Sequence, residues 1–367
     1  MRTLRIGIIG TGNWTQKAHI PAFQRCENAK VVAICGHDLA RTREIAKKFD
    51  IPFACTSNKE LVTRSEVDAV DISTSTNRHY QAAIDAIDSG KPILCEKPLA
   101  STYQEGRILQ EKAAKKGLST KMGFTFRYSP VILRMKELID EGFIGTPFHV
   151  NGFEQNSQFI DPNTPFRWNP GPNTGKIVPG SLEEYGAHLI DLALWMMGDL
   201  SAVVGYMRNA IPQRFIRDFQ KIMNINIDDG CIWLGKFKSG ALATFQTSFI
   251  AIGGYPGIEL RLYGSKGALI ARLVEEFGVT ETLHAARPDS VEFQLQKIPD
   301  KFYPSGYSKD ESWIDLQFGN LIQNFVEEIL SEKSTNGGFI DGAKSEEVAS
   351  AVYESHLQRR WIDLPLT

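Results

Sequence analysis

Short apolar runs alternate with segments of helical period in the first third of the 367-residue chain, and this alternation constrains the fold most. The apolar runs predict strands at Leu4–Ile9, Lys30–Cys35, Ala69–Ser73, Pro92–Cys95 and Leu118–Gly123. The segments between them predict helices at Gln16–Glu27, Leu39–Phe49, His79–Ser89 and Tyr103–Lys116. Strands that alternate with helices of this length form βαβ units. We therefore predict an α/β domain over residues 1–123 with a doubly wound parallel sheet.

A second domain is predicted over residues 124–367, where the pattern changes. A helix (130–141) and an alternating strand (149–156) precede an aperiodic loop (157–180), and a segment of that length is usually functional or disordered. A helix at Leu182–Met197 is followed by strands with tight turns, which favour an α+β domain with a large open antiparallel sheet. These strands are expected near 202–208, 230–237, 241–250, 258–263 and 268–272, and two late helices at 314–330 and 343–360.

Composition excludes several classes of protein. Lys and Arg total 41 against 43 Asp and Glu, so the chain has no basic excess for a nucleic-acid partner. No apolar run is long enough for a membrane helix or a signal peptide, and we expect a cytoplasmic protein without a membrane partner. The five cysteines lie far apart without a C-x-x-C pair, which predicts buried free thiols and no metal site.

A dinucleotide site is predicted where the first strand leads into Gly10-Thr11-Gly12-Asn13-Trp14. Two glycines there permit a tight turn and bring a pyrophosphate close to backbone N–H groups at a helix start. Thr15 stands in place of the third glycine. An isolated G-x-G is weak evidence, but the strand before it and the helical pattern after it supply the required context.

The end of the second predicted strand bears on the choice between NAD and NADP. Gly36 occupies the position of the acidic residue that usually binds the ribose hydroxyls, and Asp38 comes two residues later. His37 and Arg41 are candidates to meet a 2′-phosphate, which favours NADP slightly. Alternatively, Arg41 is a solvated helix residue.

A further set of motifs carries a resemblance to a known family. Glu96-Lys97-Pro98 ends a predicted strand. Thr74 and His79, which are five residues apart, precede it in the chain. Downstream stand Phe124-x-x-Arg127-x-x-Pro130, Gly142-x-Ile144-Gly145, Glu184-Tyr185-Gly186-Ala187-His188-x-x-Asp191 and Gly264-x-x-Gly267. Together they resemble the glucose–fructose oxidoreductase, inositol dehydrogenase and rhizopine-catabolism (Gfo/Idh/MocA) family over nearly the whole chain.

This resemblance implies a Rossmann domain, an open-sheet domain that forms homodimers or homotetramers, and a reaction cleft between the domains. It also implies a cis Lys97–Pro98 bond, with Thr74, His79, Glu96 and Lys97 near the cofactor. By this carry-over, His188 accepts the hydroxyl proton of a secondary alcohol and Lys97 stabilises the developing charge. Lys97 by itself would more often be a surface lysine, and His188 by itself a core histidine.

Two interpretations of Glu184 remain equally supported by the sequence. It stands four residues before His188, where it can orient the imidazole as a third catalytic residue. Ser181 and Glu184 also have the spacing of a capping box, in which Glu184 only caps the helix.

Residues suited to a polyhydroxylated substrate surround this segment. Arg127, Arg167, Trp168, Tyr185 and His188 are the predicted substrate contacts, with Gln155, Asn156, Asn169 and Asn173 nearby. Donors and acceptors bind hydroxyl groups, and aromatic rings stack on sugar C–H faces. We expect an NAD(P)-dependent oxidoreductase acting on a sugar, sugar derivative or inositol. The alternatives are a glycosidase or lyase that oxidises its sugar transiently, and a silent dinucleotide sensor.

Overall fold

The computed structural model describes residues 2–166, 176–253, 257–273, 281–290, 292–333 and 337–366. Its strands, in chain order, are β1 Leu4–Ile9, β2 Ala29–Cys35, β3 Phe53–Cys55, β4 Ala69–Ile72, β5 Ile93–Cys95, β6 Thr120–Met122, β7 Pro147–Gln155, β8 Leu200–Arg208, β9 Gln213–Ile216, β10 Lys221–Asn224, β11 Gly230–Phe237, β12 Leu242–Ser248, β13 Ile258–Gly264, β14 Ala268–Leu273, β15 Thr282–Ala286, β16 Gln294–Leu295 and β17 Ile362–Asp363. Its α-helices are α1 Ile20–Arg25, α2 Leu39–Lys48, α3 Asn58–Val62, α4 His79–Asp88, α5 Tyr103–Lys115, α6 Pro130–Asp140, α7 Ala187–Met197, α8 Trp313–Ser331 and α9 Phe339–Gln358.

The chain forms two compact units, and the first comprises Met1–Pro130 with Asp300–Glu346. Its described residues form a six-stranded sheet in the order β3-β2-β1-β4-β5-β6, with every pair parallel. The strand order reverses between β1 and β4, and ligands bind at the carboxyl ends of strands at such a switch point. This confirms the doubly wound parallel sheet.

Apolar side chains fill the first unit. Leu4, Ile6 and Ile8 of β1 are fully buried and share one cluster with Phe318 and Phe325 of α8. This contact explains why residues 300–346 belong to the first unit, whereas the sequence division at residue 123 assigns them to the second domain. Amphipathic helices bury their apolar face wherever a complementary surface exists, whatever their place in the chain.

The second unit comprises Val131–Pro299 and Glu347–Thr367. Its described residues form a nine-stranded sheet in the order β16-β15-β14-β13-β7-β12-β11-β8-β17. The pairs are antiparallel with one exception within the described residues, since β7 and β12 are parallel from His149↔Leu242 to Gln155↔Ser248. The large sheet is confirmed, and it is mixed rather than purely antiparallel. A long connection that contains α7 lets β12 run in the direction of β7.

Helix α7 lies against this sheet. Its residues Leu189, Ile190 and Leu192 are fully buried. A Cβ at Gly152 of β7 would lie 3.3 Å from Leu189 Cδ2 and 2.7 Å from Phe245 Cδ1, so glycine leaves the space in which helix and sheet meet. The segment Leu182–Gly186 directly before α7 is a π-helical turn. Such turns occur frequently at functional sites.

Among the described helices, none is long and apolar enough to cross a membrane.

Candidate active site

The glycine-rich turn follows β1 at the switch point of the parallel sheet. Gly10 has a φ of +143°, and a Cβ there would lie 2.4 Å from the carbonyl oxygen of Ser73, so this position requires glycine. Around Gly12 the nearest atom to a Cβ would be Thr15 Oγ1, at 3.9 Å. Gly12, Asn13 and Trp14 are exposed, and Thr11 is buried. The turn therefore leaves open space beside backbone amides at a helix start, as a pyrophosphate requires.

Thr15, which replaces the third glycine, fastens this turn to the sheet. Its buried hydroxyl lies 3.1 Å from Ser73 O and 3.0 Å from Ser73 Oγ. It opens a π-helical turn, Thr15–His19, which continues into α1. The hydrogen bonds replace the close packing that glycine would allow.

The end of β2 has no room for the usual acidic residue in its present packing. A Cβ at Gly36 would lie 2.4 Å from Thr42 Oγ1 and 2.6 Å from Thr11 Cγ2. Asp38 caps α2 by accepting a hydrogen bond from the backbone N–H of Arg41 at 2.7 Å. The Arg41 guanidinium lies 3.5 Å from Thr11 O. The structure thus brings Arg41 beside the glycine-rich turn, where it is exposed together with His37 and Asp38.

The Glu96-Lys97-Pro98 turn follows β5 and contains a cis Lys97–Pro98 bond, as the resemblance implies. The imidazole of His79 joins this turn to the end of β4, because Nδ1 lies 2.7 Å from Pro98 O and Nε2 lies 3.1 Å from Thr74 O. Burial lowers the pKa of His79. A neutral imidazole carries one N–H, so one of the two carbonyl contacts is its hydrogen bond at a time.

Beneath this turn lies a cluster of three buried ionisable side chains. His19 Nδ1 lies 3.0 Å from Asp71 Oδ1, and His19 Nε2 lies 3.1 Å from Glu96 Oε1. Burial opposes the charged form of His19, but the charge of Asp71 and its hydrogen bond, supported by Glu96, raise the pKa of the imidazole to about 10. Sequence reasoning missed His19. The available signal was Asp71, a carboxylate inside an otherwise apolar strand.

Arg127 lies in the interior of the first unit. Its side chain is 2% exposed, and its guanidinium donates to Asp341 Oδ1 at 2.9 Å. Asp341 also accepts the backbone N–H groups of Gly337 and Gly338, each at 3.0 Å. The ion pair with Asp341 explains how the Arg127 side chain can be buried without contacting a substrate. The predicted contact of Arg127 with substrate stays a prediction.

In the second unit, Asp228 fixes the segment that leads into α7. Its carboxylate accepts hydrogen bonds from the backbone N–H groups of Gly180 and Leu182 and from the hydroxyl of Ser181. Burial raises the pKa of Asp228 to about 6, although these three hydrogen bonds oppose the shift. Ser181 makes no capping hydrogen bond through its own side chain. Asp228 therefore performs the function that the capping-box interpretation of the sequence gives to Ser181.

The predicted catalytic and substrate residues of the second unit lie on this segment. His188 and Asp191 are buried on α7, whereas Glu184 is exposed in the π-helical turn. Asn156 Nδ2 donates to the hydroxyl of Tyr185 at 2.6 Å, and the Tyr185 ring packs edge-on against Phe249 at 4.9 Å. The structure thus joins Tyr185 and Asn156, two of the predicted polar residues.

Part of the predicted substrate loop is not described. Arg167, Trp168, Asn169 and Asn173 lie outside the described residues. Within the described ranges, no group of three or more His, Cys, Asp or Glu side chains is arranged to hold a metal ion.

Comparisons with known proteins extend over the whole chain. Levoglucosan dehydrogenase of Pseudarthrobacter phenanthrenivorans is 25% identical and covers 100% of this chain and 99% of its own length. Myo-inositol 2-dehydrogenase of Thermotoga maritima is 26% identical over 76% of this chain and 78% of that protein. The crystal structure of an NAD-binding oxidoreductase from Klebsiella pneumoniae matches with a TM-score of 0.89 at 26% identity, and it covers 100% of both chains.

Two family models account for both parts of the chain. Residues 4–124 match the oxidoreductase family with an NAD-binding Rossmann fold, and residues 132–270 match the C-terminal domain of the same family. The strand order, the glycine-rich turn and the Glu96-Lys97-Pro98 turn described above agree with these matches. The chain is therefore a member of the Gfo/Idh/MocA family of oxidoreductases, with an NAD-binding Rossmann fold.

Proposed function

We propose that this protein is a dehydrogenase that transfers a hydride between a nicotinamide cofactor and a secondary hydroxyl, or its ketone, of a sugar, sugar derivative or inositol. The observation that carries this proposal is the full-length similarity to levoglucosan dehydrogenase. The similarity to myo-inositol 2-dehydrogenase over about three quarters of the chain supports it. The buried support of the Lys97 turn by His79 adds to it.

The residues at the switch point fit a dinucleotide. Gly10 permits the tight turn, and the open space around Gly12 admits a pyrophosphate beside backbone amides. The exposed side chains of Asn13 and Trp14 border that space. Gly10 and Gly12 would hold the pyrophosphate of the dinucleotide, and the bound cofactor would supply the hydride acceptor or donor.

In this proposal the protein's own residues handle the proton and the charge. His188 accepts the hydroxyl proton as the alcohol is oxidised and returns it in the reverse reaction, because an imidazole titrates near neutrality. The ammonium group of Lys97 stabilises the negative charge that develops on the substrate. Glu184 orients His188, and Asn156 with Tyr185 contributes polar groups for a hydroxylated ring.

The test is turnover by the purified protein. NAD⁺ and NADP⁺ are each combined with levoglucosan, inositols, aldoses, ketoses and sugar acids, and the absorbance of the reduced nicotinamide is followed. We expect turnover with at least one polyhydroxylated compound. Measurable cofactor binding without turnover on any of them would contradict the proposal.

We further propose that NADP is the better cofactor. Gly36 offers no carboxylate, a larger residue there meets Thr42 and Thr11, and Arg41 lies beside Thr11 in a position to meet a 2′-phosphate. Arg41→Ala should therefore weaken NADP binding about tenfold or more and leave NAD binding nearly unchanged. Arg43→Ala on the same helix is the matched control, measured by fluorescence titration of both cofactors. Equal effects of Arg41→Ala on both cofactors would exclude the 2′-phosphate contact.

The outer face of the large sheet supports a homodimer or homotetramer. Tyr206, Ile232, Leu234 and Leu242 are 66%, 56%, 43% and 53% exposed, and Ile232 pairs directly with Tyr206. A contiguous exposed apolar patch of this kind marks an interaction surface. Light scattering should give a mass of two or four chains, and a monomer at micromolar concentration would contradict this.

A further inference from the structure

The His19, Asp71 and Glu96 side chains form a buried charged cluster at the carboxyl ends of β4 and β5. We propose that His19 is a positioning residue for Lys97: its imidazolium ring locks the Glu96 carboxylate, and that carboxylate holds the backbone from which Lys97 extends. The inference rests on the role that the proposed function gives to Lys97.

The hydrogen bonds of His19 require a protonated ring. Both ring nitrogens face carboxylate oxygens, Asp71 Oδ1 at 3.0 Å and Glu96 Oε1 at 3.1 Å. When both carboxylates are ionised, each can only accept a hydrogen bond, and both ring nitrogens then carry a proton. The His19 and Asp71 side chains are 0% exposed and that of Glu96 is 12% exposed, which leaves little water to take over either contact.

Glu96 transmits this arrangement to the turn. Its second oxygen, Oε2, accepts the backbone N–H of Lys97 at 3.1 Å, while its own N–H donates to Ile72 O at 2.9 Å. A Cβ at position 123 would lie 2.7 Å from Glu96 Oε1, so Gly123 leaves the space that the carboxylate occupies. Burial opposes ionisation of Glu96, but the hydrogen bond and charge of His19 hold its pKa below the usual value.

The positive charge of His19 compensates the negative charges of the two buried carboxylates. Lys97 and His79 act on Glu96 from the turn and from α4, the Cys95 thiol lies next to both carboxylates, and the Phe318 ring packs edge-on against His19 at 4.9 Å. Asp71 Oδ2 has no hydrogen-bond partner among the described residues. Without the imidazolium, two buried carboxylates would lack their shared partner, and burial with mutual repulsion would favour the protonated form of one of them.

The test combines a charge deletion with its compensation. His19→Gln keeps one hydrogen-bond donor but loses the charge, and we expect kcat to fall about 10- to 100-fold with a new ionisation in its pH profile near neutrality. Adding Asp71→Asn removes the second carboxylate and should restore a large part of kcat and the original profile. The dissociation constant of the cofactor should change less than threefold. His149→Gln, an exposed histidine on β7, is the matched control.

A purely structural role would lower the melting temperature of His19→Gln and leave the shape of its pH profile unchanged, and that result would overturn the inference.

A second experiment uses the unmodified protein and does not depend on turnover. In a histidine-labelled sample, NMR should show one imidazole with both ring nitrogens protonated at pH 8, and its assignment follows from comparison with the other six histidines. A neutral His19 ring at pH 8 would also overturn the inference. Absence of turnover by the wild-type protein on any sugar would instead contradict the proposed function, and the ring state would still decide the charge of His19.

Discussion

Two imidazoles lie at or just after π-helical turns among the described residues, one in each unit, and their surroundings differ. His19 ends the turn Thr15–His19, where two carboxylates bracket its ring and no part of its side chain is exposed. His188 follows the turn Leu182–Gly186 and keeps 7% exposure. Asp228, the carboxylate that fixes the segment before this turn, accepts hydrogen bonds from backbone N–H groups and a hydroxyl group. One π-helical turn thus ends in an imidazole that two carboxylates bracket, and the other leads into the imidazole that we propose as the general base.

The largest effect expected from this comparison concerns His188. His188→Gln should lower kcat by a factor of about 10² to 10⁴, the range that general base catalysis contributes, because no other group is proposed to take the hydroxyl proton. Cofactor binding should persist. Steady-state kinetics with fluorescence titration of the cofactor measure both quantities. A loss no larger than that of His19→Gln would remove the distinction between the two imidazoles.

A smaller effect is expected for Glu184. Since Asp228 caps the segment and Ser181 does not, Glu184→Gln should reduce kcat about tenfold or more while the melting temperature stays within about 1 °C. Glu183→Gln in the same turn is the matched control. A fall in melting temperature with unchanged kcat would instead support the capping interpretation of Glu184.

The third expected effect concerns stability and its dependence on pH. The pKa of Asp228 is about 6 in the folded chain and near 3.8 when unfolded, so between these values the folded state holds a proton that the unfolded state releases. The free energy of unfolding should therefore decrease as pH rises from about 4 to 6, by roughly 2 to 3 kcal/mol from this group.

Asp228→Asn tests this dependence, since the amide cannot titrate. Thermal unfolding of the variant between pH 4 and 7 should show a flatter pH dependence than the wild-type protein. Asp218→Asn, at an exposed position, should behave as wild type. Identical slopes for all three proteins would show that folding does not raise the pKa of Asp228.

The sequence predicts residues 1–123 of the first unit closely, because each parallel strand there is a continuous apolar run between amphipathic helices. β1 begins and ends at the predicted residues, and the other predicted strands and helices of that region differ from the structure mainly at their ends. The sequence analysis did not predict β3 and α3, because elements of three and five residues are too short to show a periodic pattern. The parallel pairing of β7 with β12 was also not predicted. Alternating apolar and polar residues show which face of a strand is buried, but not which strand it pairs with.

In the candidate site, too, some residues could be predicted from sequence motifs and others could not. Motifs placed Gly10, Thr74 and Lys97 shortly after β1, β4 and β5, and the parallel sheet brings these strand ends to one edge. His19 and Asp228 carry no such motif, and their importance depends on partners 52 and 47 residues away in the chain. Pairings of this separation arise only from the folded topology, so sequence spacing cannot reveal them.

We propose that Lys97 takes part in hydride transfer rather than in holding the cofactor. The most direct measurement compares Lys97→Ala with wild type under single-turnover conditions on the sugar or cyclitol that gives the highest rate, together with cofactor titration of both proteins. We predict that reduction of the nicotinamide becomes undetectable or falls by at least about 10³, while the dissociation constant of the cofactor remains measurable. An unchanged rate of reduction in Lys97→Ala would contradict the account.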